Sequence, residues 1–290
     1  MLRELGHSVD LTMAWSGKPA DVLVALHARR SAAAVREFAS AHPDRPVVVA
    51  LTGTDLYADL PDSAEAQETV RAAAALVVLQ DKAYDVLPAA VHPRVHVIHQ
   101  SVVMPARRPH PRAHLEVVLL AHLRAVKDPF LVVAALDLLK SQCPIRVTHL
   151  GAALDDGTAE RATEAMQRDP RYHWRGDVPR EEALQVLADS DLLLLTSRLE
   201  GGANAISEAI AAGVPVVSTR IDGSLGLLGS DYPALVDVGD ATALAAMLER
   251  VATEKPFHAE LTRHVVARGP LVSPQRERQA WVDLLASVAP

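Results

Sequence analysis

Short, almost wholly apolar runs recur along this chain, most of them followed by a polar turn and a helical stretch. Asp21-Val-Leu-Val-Ala-Leu26, Pro46-Val-Val-Val-Ala-Leu51, Leu76-Val-Val-Leu79 and Val95-His-Val-Ile98 form a first series; residues 117–121, 145–150, 191–196 and 214–218 form a second. Runs this short and this apolar are the signature of strands buried on both faces. Helical patterns fall between or after them at residues 31–42, 63–75, 129–140, 159–169, 180–188, 205–212, 241–253 and 274–288. Strands that alternate with helices predict parallel sheets joined by right-handed crossovers, and such sheets bind ligands at the carboxyl ends of their strands. Aromatic residues make up only 3% of the chain, so its core must be built from Ala, Val and Leu, which suits helices packed on parallel strands.

Two series of strands in 290 residues predict two α/β domains. The basic, proline-rich stretch Pro105-Ala-Arg-Arg-Pro-His-Pro-Arg112 reads as the linker. The expected division is an N-terminal domain over 1–108, a C-terminal domain over 109–273 and a final helix over 274–290 that crosses back to the first domain. Residues 1–7 read as the end of a helix with Gly6 as its C-cap, and residues 8–13 alternate like a strand. A Rossmann-like domain normally opens one step earlier, so a strand, a glycine loop and most of a helix, about 20–30 residues, are expected ahead of this start. A net charge of −7 argues against a nucleic-acid partner. No apolar stretch reaches a membrane span and no signal peptide is evident. The lone Cys143 fits a reducing cytoplasm and reads as a small buried hydrophobe.

The polar motifs sit at the predicted strand ends. Glu200-Gly-Gly-Ala-Asn-Ala-Ile-Ser-Glu208 makes a strand, a glycine turn and a helix, which aims backbone N–H groups and a positive helix end at an anion. The candidate donor-binding residues are Glu200, Gly201, Gly202, Ala203, Asn204, Ser207 and Glu208, the two carboxylates being suited to sugar or ribose hydroxyls. Arg124 and Lys127 follow the first strand of the second domain and suit a diphosphate, whose charge grows as it leaves. His27 ends a strand and precedes Arg29 and Arg30, which either hold an anion at a helix start or point to water. Thr52, Gly53, Thr54 and Asp55 form a small polar turn, either a nest for an anion or a support that carries Asp55 to a hydroxyl. Asp222-Gly-Ser-Leu-Gly-Leu-Leu-Gly229 reads as a glycine-rich loop. There is no Asp-x-Asp and no Cys/His metal spacing, so neither metal nor other cofactor is expected.

The Glu200-to-Glu208 element resembles the E-x7-E signature of retaining-type nucleotide-sugar glycosyltransferases of family 4, with the GT-B fold of two Rossmann-like domains facing a cleft. The stretches 25–31, 50–57, 122–129, 200–208 and 225–233 together resemble a narrower group, the selenosugar synthases of bacterial selenoneine biosynthesis. The more specific elements are His27-Ala-Arg-Arg30 and Thr52-Gly-Thr-Asp-Leu-Tyr57. The resemblance implies transfer of a sugar from UDP-N-acetylglucosamine or UDP-glucose to selenophosphate, with formation of a carbon–selenium bond. It implies catalytic roles for His27, Arg124, Lys127 and Glu200. The UDP diphosphate would lie on Arg124 and Lys127, the sugar and ribose hydroxyls on Glu200 and Glu208. Selenophosphate would lie on Arg29, Arg30 and residues Thr52 to Asp55. The chain departs from the pattern in its short Arg124-to-Lys127 spacing and in its start. A family-4 transferase with a hydroxyl acceptor, and a non-catalytic nucleotide-sugar-binding protein, are the alternative readings.

Overall fold

The computed structural model describes residues 1–108 and 112–288. It separates into two compact units. The first comprises Met1–Gln100, Glu200–Gly202 and the C-terminal helix; the second comprises Ser101–Leu199 and Ala203–Ser273. The linker read from the sequence falls at the start of the second unit, and its residues 109–111 lie outside the described residues.

In the first unit the strands are β1 (Leu23–Leu26), β2 (Val47–Leu51), β3 (Ala75–Val78) and β4 (Val95–Val97), with helices α1 (Ala32–Ala41) and α2 (Ala64–Ala72) in the crossovers. The sheet runs β1-β2-β3-β4, all parallel, with Leu26 opposite Ala50 and Val78 opposite Val97. Every residue of β2 and β3 is buried, as a parallel sheet covered on both faces requires. One face carries Val35, Phe38, Leu51, Leu56 and Leu76; the other carries Val48, Ala50, Ala75, Val77 and Leu284. Ser63 caps α2 by accepting a hydrogen bond from the Ala66 N–H.

Residues 2–5 form a 3-10 turn that Gly6 closes at φ 91°, where the sequence places a helix end. The strand expected at 8–13 is absent. Its alternation is real, but strand structure requires a hydrogen-bonded neighbour, and the sheet order gives this segment none among the described residues. Leu11 and Met13 are accordingly exposed.

The second unit contains β5 (Leu115–Leu120), α3 (Leu131–Leu138), β6 (Ile145–Leu150), α4 (Thr158–Arg168), β7 (Tyr172–Trp174), α5 (Arg180–Asp189), β8 (Leu192–Leu195), α6 (Asn204–Ala212), β9 (Val216–Thr219), α7 (Asp222–Leu228), β10 (Leu235–Val236), α8 (Ala241–Thr253) and α9 (Lys255–Arg268). Its parallel sheet has the order β10-β9-β8-β5-β6-β7, so the direction of winding reverses between β5 and β8. Residues 222–228 are helical and not a glycine loop, because burial of Leu227 and Leu228 outweighs the low helix propensity of Gly223 and Gly226. The helix α9 escaped the sequence reading, although Phe257, Leu261 and Val265 lie on one buried stripe with Pro256 in its first turn. Cys143 is a buried free thiol whose pKa is raised chiefly by burial. The last helix, α10 (Pro274–Val288), belongs to the first unit and seats Leu284 on its sheet. No helix is long and apolar enough to cross a membrane among the described residues.

Candidate active site

The three non-glycine residues held at positive φ among the described residues are His27 (76°), Asp128 (43°) and Ala203 (31°). Each lies in one of the motifs singled out from the sequence. Such backbone strain costs of order 1–3 kcal/mol per residue and persists where the surroundings over-determine it.

In the first unit, His27 ends β1 and its N–H donates to the Ala50 carbonyl on β2. Its Nδ1 accepts from the Arg30 backbone N–H at 3.3 Å, which leaves Nε2 to carry the proton. That nitrogen donates to Thr54 Oγ1 at 3.0 Å and lies 3.6 Å from Asp59 Oδ2. Asp59 also binds Arg29 Nη1 at 2.7 Å. Asp59, which the sequence reading missed, therefore joins the histidine to the arginine. Its signal was faint: it closes a single five-residue π-turn, Asp55–Asp59, after the polar stretch.

The Thr52–Asp55 turn corrects the expectation of an open nest. The Asp55 carboxylate is fully buried and accepts the N–H groups of Ala28 (2.9 Å), Thr52 (2.9 Å) and Gly53 (2.8 Å). The turn fills its own nest, and Asp55 fastens it to the start of the His27 loop. Thr54 is left as the residue whose side chain reaches the histidine. Arg30 is exposed and its side chain makes no ion pair among the described residues. The Glu200–Gly202 turn belongs to this unit, and a Cβ on Gly201 would lie 2.3 Å from the Thr52 carbonyl oxygen.

In the second unit, the loop after β5 carries Arg124 and Lys127. Hydrogen bonds to its main chain fix it from three sides: the Leu123 N–H donates to Ala152 O, the Arg198 N–H to Val126 O, and the Thr196 hydroxyl to Lys127 O. Asp155 Oδ2 accepts from the Ala125 N–H at 2.7 Å, and Arg198 pairs with Asp128 at 2.6 Å. Gly151 lets β6 approach: a Cβ there would lie 2.0 Å from the Ala121 carbonyl oxygen. Beneath the loop, buried His149 donates from Nε2 to that carbonyl at 2.8 Å and accepts from the Tyr172 hydroxyl at Nδ1, 2.7 Å away. Burial pushes its pKa down to about 4. Arg124 stays exposed, with no ion-pair partner among the described residues.

Helix α6 opens after Ala203, with Asn204 as its first residue. Its dipole places positive charge at this end. Ser207 is buried, and its hydroxyl has no hydrogen-bond partner among the described residues. Glu208 is also buried; Arg180 Nη2 lies 2.8 Å from its Oε1. Burial raises the Glu208 pKa, and Arg180 acts in the opposite direction. Arg180, Asp155 and Arg198 were not singled out from sequence. Each is an ordinary charged residue at an element end, and only the fold gives it a partner.

Residues 105–268, more than half of the chain, match the model of the glycosyl transferases group 1 family. The chain belongs to this family. Among curated relatives of this group 1 glycosyltransferase, the putative colanic acid biosynthesis glycosyltransferase WcaL of Escherichia coli (strain K12) is 32% identical over 146 residues, 48% of this chain and 36% of that protein. Among solved structures, a mutant of S. aureus TarM in complex with Fondaparinux, alpha-GlcNAc-glycerol and UDP superposes with a TM-score of 0.73 at 15% identity, over 91% of this chain and 55% of that one. Anabaena Alr3699/HepE in complex with UDP and glucose superposes with a TM-score of 0.69 at 18% identity, over 92% of this chain and 78% of that one. The match thus takes in about a third of the length of WcaL and about half of TarM. The GT-B fold expected from the sequence, with parallel Rossmann-like sheets, is the fold of this protein.

Proposed function

We propose that this group 1 glycosyltransferase moves a sugar from a UDP-sugar to a small anionic acceptor. The observation that carries the reading is the α6 entrance in the second unit. There a left-handed Ala203, a buried Ser207 hydroxyl with no partner among the described residues and the buried Glu208 carboxylate share one turn and a half of helix. Ser207 awaits an acceptor or donor from a ligand, because a buried hydroxyl left unpaired costs of order 1–3 kcal/mol. TarM and HepE, with which the chain shares its fold, were both solved with UDP.

In this reading Arg124 and Lys127 hold the diphosphate and stabilise the charge that collects on it as the sugar–oxygen bond breaks. The family model covers both residues. Gly201 and Gly202 let the turn pack on Thr52 and Leu79, where a Cβ would clash, and the carboxylates Glu200 and Glu208 accept the donor's hydroxyls. No metal is required, since two cations and a helix end offset the diphosphate. The lone buried thiol suits the cytoplasm, where disulfides are rare.

The acceptor is selenophosphate, as the resemblance of the His27 and Thr52 stretches implies. It is nucleophilic at selenium and needs holding more than deprotonation. Arg30 is the cation best placed to hold it, because Arg29 is shared with Asp59. Selenium attacks the anomeric carbon, the carbon–oxygen bond to UDP breaks, and the electron pair leaves on the diphosphate. The same resemblance implies that His27, whose Nε2–H is on Thr54, lies near the sugar. The second reading, a hydroxyl acceptor, draws on the same pair: the Asp59 carboxylate, 3.6 Å from His27 Nε2, is the group that takes the acceptor's proton. Calorimetric titration with UDP tests the donor half. Micromolar binding that weakens at least tenfold in Arg124→Ala supports it, and no saturable binding refutes it. Turnover with selenophosphate but not with glycerol or serine separates the two acceptors.

A further inference from the structure

A second polar cavity lies within the second unit, at the amino end of β5 and away from the Arg124 loop. It has a volume of about 500 Å³ and is walled by Arg112, His114, Glu116, Arg146, Thr148 and Arg175 together with the end of α5. Parallel strands covered on both faces are normally apolar throughout. Here Glu116 on β5 stands opposite Arg146 on β6, and Thr148 follows on the same face of β6. Three polar residues thus replace the aliphatic ones that would close this face against α5.

The side chains are arranged by charge. Glu116 forms the floor and is buried. Its Oε1 accepts from the Thr148 hydroxyl at 2.6 Å and its Oε2 lies 3.2 Å from His114 Nε2. A carboxylate has about four acceptor positions, so two remain for a donor in the cavity. The rim is cationic. Arg146 is exposed, and its guanidinium has no partner among the described residues. Arg175 pairs with Glu182 through one nitrogen. Asp189, the other acid of the wall, is already held by Arg108 at 2.8 Å. Arg112 spends one nitrogen on the Asp189 carbonyl.

We infer that this cavity binds a phosphorylated sugar or polyol, with hydroxyls donated to Glu116 and the phosphate on Arg146 and Arg175. A carboxylate floor beneath an arginine rim matches a ligand with hydroxyl donors at one end and an anion at the other. The volume lies within the 300–1,000 Å³ typical of small-molecule sites. Between Glu116 and the end of β5 at Leu120 lie about 13 Å of strand at about 3.3 Å per residue, and the Arg124 loop follows beyond it, so the site is distinct from the proposed diphosphate loop.

Calorimetric titration of the full chain with glucose 6-phosphate tests this, with glucose and inorganic phosphate as separate probes. Saturable binding of glucose 6-phosphate is expected, at least tenfold tighter than either part alone. Arg146→Ser should weaken it at least tenfold and Glu116→Gln several-fold, while UDP binding stays within twofold. Arg146 is exposed, so its variant folds even where Glu116→Gln does not, and a thermal melt checks both. No saturable binding, equal binding by inorganic phosphate, or loss of binding in Arg124→Ala but not in Arg146→Ser would each overturn the inference.

Discussion

Lowering the pH from 7 to 5 protonates His149 in the unfolded chain but not in the folded one. The folded imidazole is buried between the Ala121 carbonyl and the Tyr172 hydroxyl, and its pKa is pushed from 6.5 down to about 4. A folded pKa below the unfolded value means that the unfolded state binds the extra proton in this window. Stability is therefore full above about pH 6.5 and falls as the pH drops towards about 4. At pH 5 the unfolded chain is 1.5 pH units below its own pKa while the folded histidine is still mostly neutral. At about 1.4 kcal/mol per unit, the loss is about 2 kcal/mol. His149→Gln removes the titration but keeps an amide N–H for Ala121. Its stability at pH 7 will differ from wild type, so the pH dependence is the quantity to compare. Urea unfolding between pH 7 and 5, followed by circular dichroism, should show a fall that is about 2 kcal/mol smaller in the variant. Equal pH dependence in the two proteins would refute the assignment of His149 as a neutral strut beneath the Arg124 loop.

Other outcomes follow from the same geometry. Arg124→Ala and Glu200→Ala should each lower turnover by more than about tenfold, about 1.4 kcal/mol of barrier, in a UDP-release assay. Gly151→Ala places a Cβ 2.0 Å from the Ala121 carbonyl oxygen and should cost about 1–3 kcal/mol in thermal unfolding, with loss of UDP affinity. Arg180→Ala removes the group that opposes the raised Glu208 pKa. The acid limb of its rate profile should then move to higher pH, because ionised Glu208 is the form that accepts hydroxyls. Turnover should be unchanged by EDTA; restoration by added Mg²⁺ or Mn²⁺ after a loss would contradict the metal-free reading.

Most of the sheet was legible because buried parallel strands are written as plain apolar runs, and β2, β3 and β8 lie where those runs do. The segment 8–13 alternates just as clearly, but its partner is a property of the sheet and not of the segment. Residues 222–228 carry two glycines that argue for a loop; two leucines buried in the core of the unit outweigh them. The site was legible in part. His27, Arg124 and the Glu-Gly-Gly turn were visible as polar residues straight after strands. Asp59, Asp155 and Arg180 were not, since each acts on a residue 25 or more positions away: His27 and Arg29, Ala125, and Glu208. Asp55 shows the converse error. The sequence offered its carboxylate to a ligand, whereas three backbone N–H groups take it.

The most direct test of the central claim is incubation of the protein with UDP-N-acetylglucosamine or UDP-glucose and selenophosphate, followed by mass spectrometry. UDP together with a selenium-bearing sugar, both abolished in Arg124→Ala, is the predicted result. Intact donor in every reaction, or equal products from Arg124→Ala, would contradict it.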